Sequence, residues 1–162
     1  SDVIELCGRD HDRCCGTPVR VTMIEAVYLT QRMNVCLASE KRLEVIDRAV
    51  ETARRERFAD SQVEARAYCL SDADARCPLL HDGKCILFAS RPLQCRSFGM
   101  DEERAGKLWD TVLSPALGNM SLELWLAFAG TMARDSLPLF ALADVVAGRY
   151  VQTFFHLMVR SA

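Results

Sequence analysis

The chain has 162 residues, a formal charge of −2 at pH 7 and a composition that is half apolar. That length can bury a core without disulfide staples, and so balanced a charge supplies no basic face for nucleic acid. No run reaches the roughly 18 uninterrupted apolar residues of a membrane-spanning helix; the richest stretch, 137–158, is broken by Asp144, Arg149 and His156.

The opening residues, Ser1-Asp2-Val3-Ile4-Glu5, are acidic and lack the apolar run of an export signal. The expectation is therefore a cytoplasmic protein in a reducing compartment. There, clustered cysteines bind metals or carry redox chemistry more often than they form disulfides. A mature secreted chain whose signal has been removed would reverse that inference. Eight cysteines make it matter.

Residues 7–20 read Cys-Gly-Arg-Asp-His-Asp-Arg-Cys-Cys-Gly-Thr-Pro-Val-Arg. Cys7, His11, Cys14 and Cys15 fall within nine residues among charged and turn-forming neighbours, and ligands from one short turn can converge on a tetrahedral ion. His11 is either such a ligand or a solvated loop histidine. Cys14 and Cys15 are adjacent, so one of them points elsewhere or bridges a cluster.

Thr22 with Glu25 three residues later predicts a capped helix start, followed by Ile24, Val27, Tyr28 and Gln31 at helical spacing. Ser39 opens a second, surface-lying amphipathic helix with Leu43, Ile46, Val50 and Ala53 on one face. Its basic run at residues 54–57 reads as a solvated helix end. Ser61 and Glu64 match a capping box for a short helix through Val63, Ala67 and Leu70. Cys36 and Cys69 fall inside helical segments and read as small buried hydrophobes.

The central stretch is Cys77-Pro-Leu-Leu-His-Asp-Gly-Lys-Cys85, continuing to Arg91-Pro-Leu-Gln-Cys95-Arg-Ser-Phe98. Asp82-Gly83 suits a tight turn that folds Cys77 back towards Cys85, and the strand-like run Ile86-Leu87-Phe88 leaves room for a small hairpin. Pro92 fixes the backbone just ahead of Cys95. Arg91 and Arg96 flank this segment; beside thiolates they would lower cysteine pKa, and elsewhere they are surface charge or carboxylate partners.

From Asp101 the pattern is helical again. Leu108, Trp109, Val112 and Leu113 form an apolar face that Ser114-Pro115 should end, and Gly118-Asn119 reads as a break. Ser121 opens a further helix with Leu122, Trp125, Leu126 and Ala129, and Ser136 with Pro138 opens the last. Only six Asp, Glu, Lys or Arg residues lie beyond Pro115. These helices should be buried in the domain or against a protein partner, with His156 a core or boundary histidine.

The two cysteine regions together carry a resemblance. Cys-Pro-Leu-Leu-x2-Gly-x-Cys, then Arg-Pro-Leu-Gln-Cys-Arg-Ser-Phe, resembles the signature of the YkgJ-type cysteine-cluster proteins, described as zinc- or iron-chelating domains. The vicinal Cys14-Cys15-Gly16, followed by Val19-Arg20-Val21-Thr22 and Glu25, resembles the family's leading half. The similarity spans 7–98 and omits the helices after Met100. One departure is that the family carries further cysteines before the vicinal pair, whereas here His11 stands three positions before Cys14 and the outer cysteine is Cys7. The resemblance implies metal binding, and related domains occur in a flagellin lysine N-methylase; it assigns no methyl transfer to this chain.

The expected fold is mainly α: a single-domain helical bundle over 1–162, with a cysteine-rich metal-binding region (7–98) and C-terminal helices (101–162). The expected ligands are Cys7, Cys14, Cys15, Cys77, Cys85 and Cys95, with His11. Sulfur and imidazole suit zinc or an iron–sulfur cluster and not the oxygen-seeking Mg²⁺ or Ca²⁺. Six cysteines exceed one mononuclear zinc site, which leans the reading towards iron–sulfur. The partners expected are a metal ion or cluster and a protein partner, with no nucleic acid and no membrane. A structural zinc domain that binds a partner is the alternative; a metal-free thiol redox protein ranks below both, because no Cys-x-x-Cys occurs.

Overall fold

A computed structural model describes residues 12–62, 70, 75–133 and 136–161. Among them the helical periodicity becomes seven helices: α1 (Met23–Cys36), α2 (Ser39–Gln62), α3 (Leu93–Arg96), α4 (Glu102–Leu108), α5 (Ser114–Ala129), α6 (Leu142–Val146) and α7 (Tyr150–Ser161). Four two-residue strands accompany them: β1 (Arg20–Val21), β2 (Leu80–His81), β3 (Lys84–Cys85) and β4 (Phe140–Ala141). The protein is mainly α, as the sequence predicts. Cys7, His11, Cys69 and the segment 63–69, with the short helix expected there, lie outside the described residues.

The Thr22/Glu25 signal is realised as a capping box at the start of α1. The Glu25 carboxylate accepts from the Thr22 backbone N–H at 3.0 Å and from its hydroxyl at 2.9 Å, which satisfies donors at the helix entrance. Its other oxygen accepts from the Leu93 N–H at 3.0 Å. One carboxylate therefore joins the start of α1 to the start of α3, the turn that carries Cys95.

α2 buries only part of the face the spacing suggests, Ala53 and the core-packed Ile46. Val45, Ala49, Thr52, Ala53 and Glu56 are buried, while Leu43 is 61% exposed and Val50 is exposed too. Ala49 and Ala53 are small enough to let α2 lie close on α6, its main neighbour. The helix runs on to Gln62, so no new helix opens at Ser61 and the basic run is mid-helix. Arg54 and Arg55 both hold Glu51 at 2.8 Å, and Arg57 reaches Asp144 on α6 at 2.9 Å.

Ser114-Pro115 and Gly118 do not end a helix. α4, a π-helical turn over Trp109–Leu113, and α5 are continuous. In the π turn the Ser114 N–H donates to the Trp109 carbonyl five residues back. Such a widened turn makes room for a proline ring and tolerates its missing N–H. Ser121 is buried inside this helix and accepts from the first-turn Ile24 N–H of α1 at 3.2 Å, so it links the two helices and opens none of its own. The continuous helix Glu102–Ala129, and not 137–158, is the stretch long and apolar enough to cross a membrane by length and composition. Residues 136–139 are not helical. They lead into β4, which pairs antiparallel with β1 (Arg20 opposite Ala141, Val21 opposite Phe140) before α6 begins.

The core draws on both halves of the chain. Val21, Leu29, Val45, Leu79, Trp125 and Val145 are each 1% exposed or less. Trp125 meets Phe154 of α7 edge-on at 5.4 Å, and Phe140 meets Tyr150 at 5.7 Å. The C-terminal helices are only partly covered: α6 is buried, but Phe128, Met132, Phe155 and Val159 are 56–75% exposed. His156 is exposed on α7 and is no core histidine.

Glu25→Ala removes the acceptor of three donors, one of them the part-buried Leu93 N–H. The expected loss is about 2 kcal/mol in a denaturant melt, with Glu25→Gln recovering part of it. A loss under about 0.5 kcal/mol would make this carboxylate a bystander.

Candidate metal centre

Cys14 and Cys15 sit in a 3-10 turn, Arg13–Gly16, closed by the Cys15 N–H donating to the Asp12 carbonyl at 2.8 Å. Both are 4% exposed. Turns rich in Gly, Asp and Cys leave backbone carbonyls unpaired, and here the central stretch uses them. The Cys77 N–H donates to the Cys15 carbonyl at 3.0 Å and the Leu70 N–H to the Gly16 carbonyl at 2.8 Å. Arg76 pairs with Asp12 at 3.1 Å across the same seam.

The Asp82-Gly83 turn forms as expected. Asp82 (φ 49°) and Gly83 (φ 72°) both take left-handed backbone, the geometry of a two-residue hairpin loop whose twist matches its strands. β2 and β3 flank it directly, with Leu80 opposite Cys85. The strand is thus Lys84–Cys85 and not Ile86–Phe88, because a two-residue turn fixes the register nearest to itself. Leu80, and not Cys77, is the residue that the hairpin sets opposite Cys85. Pro92 then caps α3, whose single turn carries Cys95, 9% exposed. The Gln94 side chain fastens that turn to β1, accepting from the Arg20 N–H at 3.0 Å and donating to the Pro18 carbonyl at 3.4 Å.

Five cysteines from these two sequence-distant regions come together. Cys14 and Cys15 pack with Cys77 and Leu80 in a small buried cluster. Cys15 shares side-chain hydrogen bonds with Cys77 and Cys14, and Cys95 with Cys14. Cys85 lies within electrostatic reach of Cys14, Cys15 and Cys95. Among the described residues no group of three or more His, Cys, Asp or Glu is arranged to hold a metal ion. The six described cysteines are all free thiols.

The electrostatics follow from this crowding. Cys15 is pushed far up, first by its hydrogen bond to Cys77 and then by burial and the neighbouring sulfurs. Cys95 is pushed far up by its hydrogen bond to Cys14, then by burial. Burial raises Cys85 to about 11, against downward pulls from the Leu87 backbone and Arg91. Arg91 acts in the expected direction on Cys85, but burial outweighs it. Its guanidinium stacks 4.0 Å over Phe88 and donates to the Phe88 carbonyl at 3.1 Å. Arg96 donates to the carbonyls of Arg91 and Ala89, so both arginines mainly fasten the loop.

Cys36 is not the buried hydrophobe expected. It is exposed at the end of α1 and accepts from Arg32 at 2.9 Å. Glu25 is legible as a cap, but its reach to Leu93 and the role of Gln94 have no local sequence signal. Comparison with protein-family models, curated proteins and solved structures returns no match.

Without a metal, folding favours the neutral form of Cys15, Cys85 and Cys95. For Cys85 that stabilisation is complete below its ordinary value of 9.0 and is lost as pH rises to about 11. Thermal melts of metal-free protein should therefore show Tm falling between pH 9 and 11, by the equivalent of about 1–2 kcal/mol from Cys85 alone. The same scan on a Cys85→Ala variant should be flatter, and equal slopes would place the effect elsewhere.

Proposed function

We propose that this protein is a metal-binding protein whose thiol cluster holds zinc or an iron–sulfur cluster, in the manner implied by its resemblance to the YkgJ-type cysteine-cluster proteins. The observation that carries the reading is the packing of Cys14 and Cys15 against Cys77, across some sixty residues of intervening chain, with Cys85 and Cys95 in electrostatic reach of them. Ordinary cores spread small buried thiols among aliphatic side chains. Here sulfur is packed on sulfur, held by the Cys15–Cys77 backbone hydrogen bond, the Asp82-Gly83 hairpin and the one-turn helix behind Pro92.

The donor set fits a thiophilic metal. Thiolates select zinc, Cu(I) and iron–sulfur clusters over hard cations. Four of the five sulfurs would serve as ligands, each giving up its proton as it binds. Zinc bound there would add folding free energy; an iron–sulfur cluster would add electron transfer or substrate activation. In this chain the Leu87 N–H and Arg91 face Cys85 and would offset negative charge on its sulfur. Cys7 and His11 remain further candidate ligands by sequence. Free thiols at all six described cysteines suit a reducing compartment.

The second reading, a structural zinc domain whose helices bind a protein partner, is favoured by the apolar side chains left open on α5 and α7, among them Phe128, Phe155 and Val159.

Protein purified without oxygen should carry metal, read by elemental and acid-labile sulfide analysis with a visible spectrum. Cys14→Ser, Cys77→Ser and Cys95→Ser should each lose most of it and melt at lower temperature. Cys36→Ser, an exposed cysteine away from the cluster, should match the parent. Iron with sulfide and a brown chromophore would support the reactive reading; zinc alone, at one per chain, the structural one. Equal metal content in all four variants, or none in the parent, would overturn the proposal.

A further inference from the structure

The continuous helix 102–129, the start of α1 and the non-helical segment 136–139 border a cavity of about 630 Å³. That is within the range of small-molecule sites, which are mostly apolar with a few placed polar groups. The wall follows this pattern: Met23, Trp109, Leu117, Leu122, Leu137 and Leu139 all line it.

Gly118 lines the same cavity from the interior of α5. Glycine is among the weakest helix formers, so a glycine inside a helix calls for a packing or functional reason. Neither the backbone nor the packing supplies one here. The left-handed glycines are Gly83, Gly99, Gly130 and Gly148, and Gly118 is not among them. A Cβ added at Gly118 would meet nothing within 4 Å, so no neighbour presses on it. What the missing side chain leaves open is the cavity.

Ser121 brings a polar group to this wall. It is 3% exposed, and its oxygen accepts from the Ile24 N–H at 3.2 Å. A hydroxyl also has a proton to donate, and among the described residues none accepts it. We infer that the cavity binds a small, uncharged, largely apolar molecule carrying a carbonyl or ether oxygen, which Ser121 holds through that proton, and that Gly118 keeps the space open for it. The absence of charge follows from Glu25, whose carboxylate lines the same wall one residue along from Ile24. A ligand carboxylate at Ser121 would meet like charge there. Arg20, the cation among the described lining residues, has a further partner. The inference does not depend on a bound metal.

Equilibrium dialysis of the full chain tests this with three probes: 2-acetylnaphthalene, 2-ethylnaphthalene as the same shape without an acceptor, and 2-naphthoate as the charged counterpart. The ketone should bind saturably at one site per chain, and 2-naphthoate about tenfold more weakly or worse. Gly118→Leu should raise Tm, because leucine is the better helix former, and should abolish saturable binding by filling the cavity. Loss of binding in a more stable protein cannot be a folding defect. Ser121→Ala should weaken ketone binding about fivefold, the scale of one hydrogen bond, and leave 2-ethylnaphthalene binding unchanged. A merely structural role for Ser121 would weaken both probes alike. Val159→Ser, on an exposed residue of α7, should match the parent. No saturable binding of the ketone, or undiminished binding in Gly118→Leu, would overturn the inference. Tighter binding of 2-naphthoate than of the ketone would overturn the uncharged class, and equal losses for both probes in Ser121→Ala would overturn the role of its hydroxyl.

Discussion

Crowding five thiols into one largely buried place constrains everything around it. Each thiolate formed there must be desolvated next to other sulfurs, which favours the neutral thiol where no cation is bound. Cys15 and Cys95 are driven up by neighbouring sulfur first and burial second. A thiophilic cation would invert that balance, because its charge stabilises the thiolates that burial disfavours.

Holding such a group requires the two halves of the motif to be fixed from outside, since the thiols attract one another weakly. The fixing is done by backbone and by a few long-range polar side chains. Cys77 is tied to Cys15 through the main chain. Glu25 and Gln94 moor α3 to the start of α1 and to β1. β1 is in turn zipped to β4, so the cluster region is braced against the C-terminal helices that the resemblance does not cover. Leu79 and Leu87 anchor the hairpin in the core from either side, both at most 4% exposed.

Much of this was legible locally. The Thr22/Glu25 cap, the Asp82-Gly83 turn and the break at Pro92 are each determined by a few neighbouring residues, and each formed where expected. What was not legible depended on partners distant in sequence. The buried face of α2 is set by contact with α6, which keeps Ala53 but takes Val45 and Ala49 in place of Leu43 and Val50. Pro115 and Gly118 carry strong helix-breaking signals, yet one π turn absorbs the first and the second lies within α5. Cys36 looked like a core residue because free cysteine is often buried, but α1 ends there and leaves it at the surface. Within the candidate site, the cysteines were visible by type and spacing. Gln94 was not, since a single glutamine looks like a solvated side chain until Arg20 and Pro18 are placed opposite it.

The distribution of exposure around the cluster bears on whether a bound metal would be merely structural. Closed structural sites bury their ligands on all sides, whereas reactive ones keep an open position. Cys14, Cys15 and Cys95 are buried, while Cys77 and Cys85 are partly open to solvent. A metal held there would therefore have its solvent-facing side at Cys77 and Cys85 and its closed side at Cys14, Cys15 and Cys95.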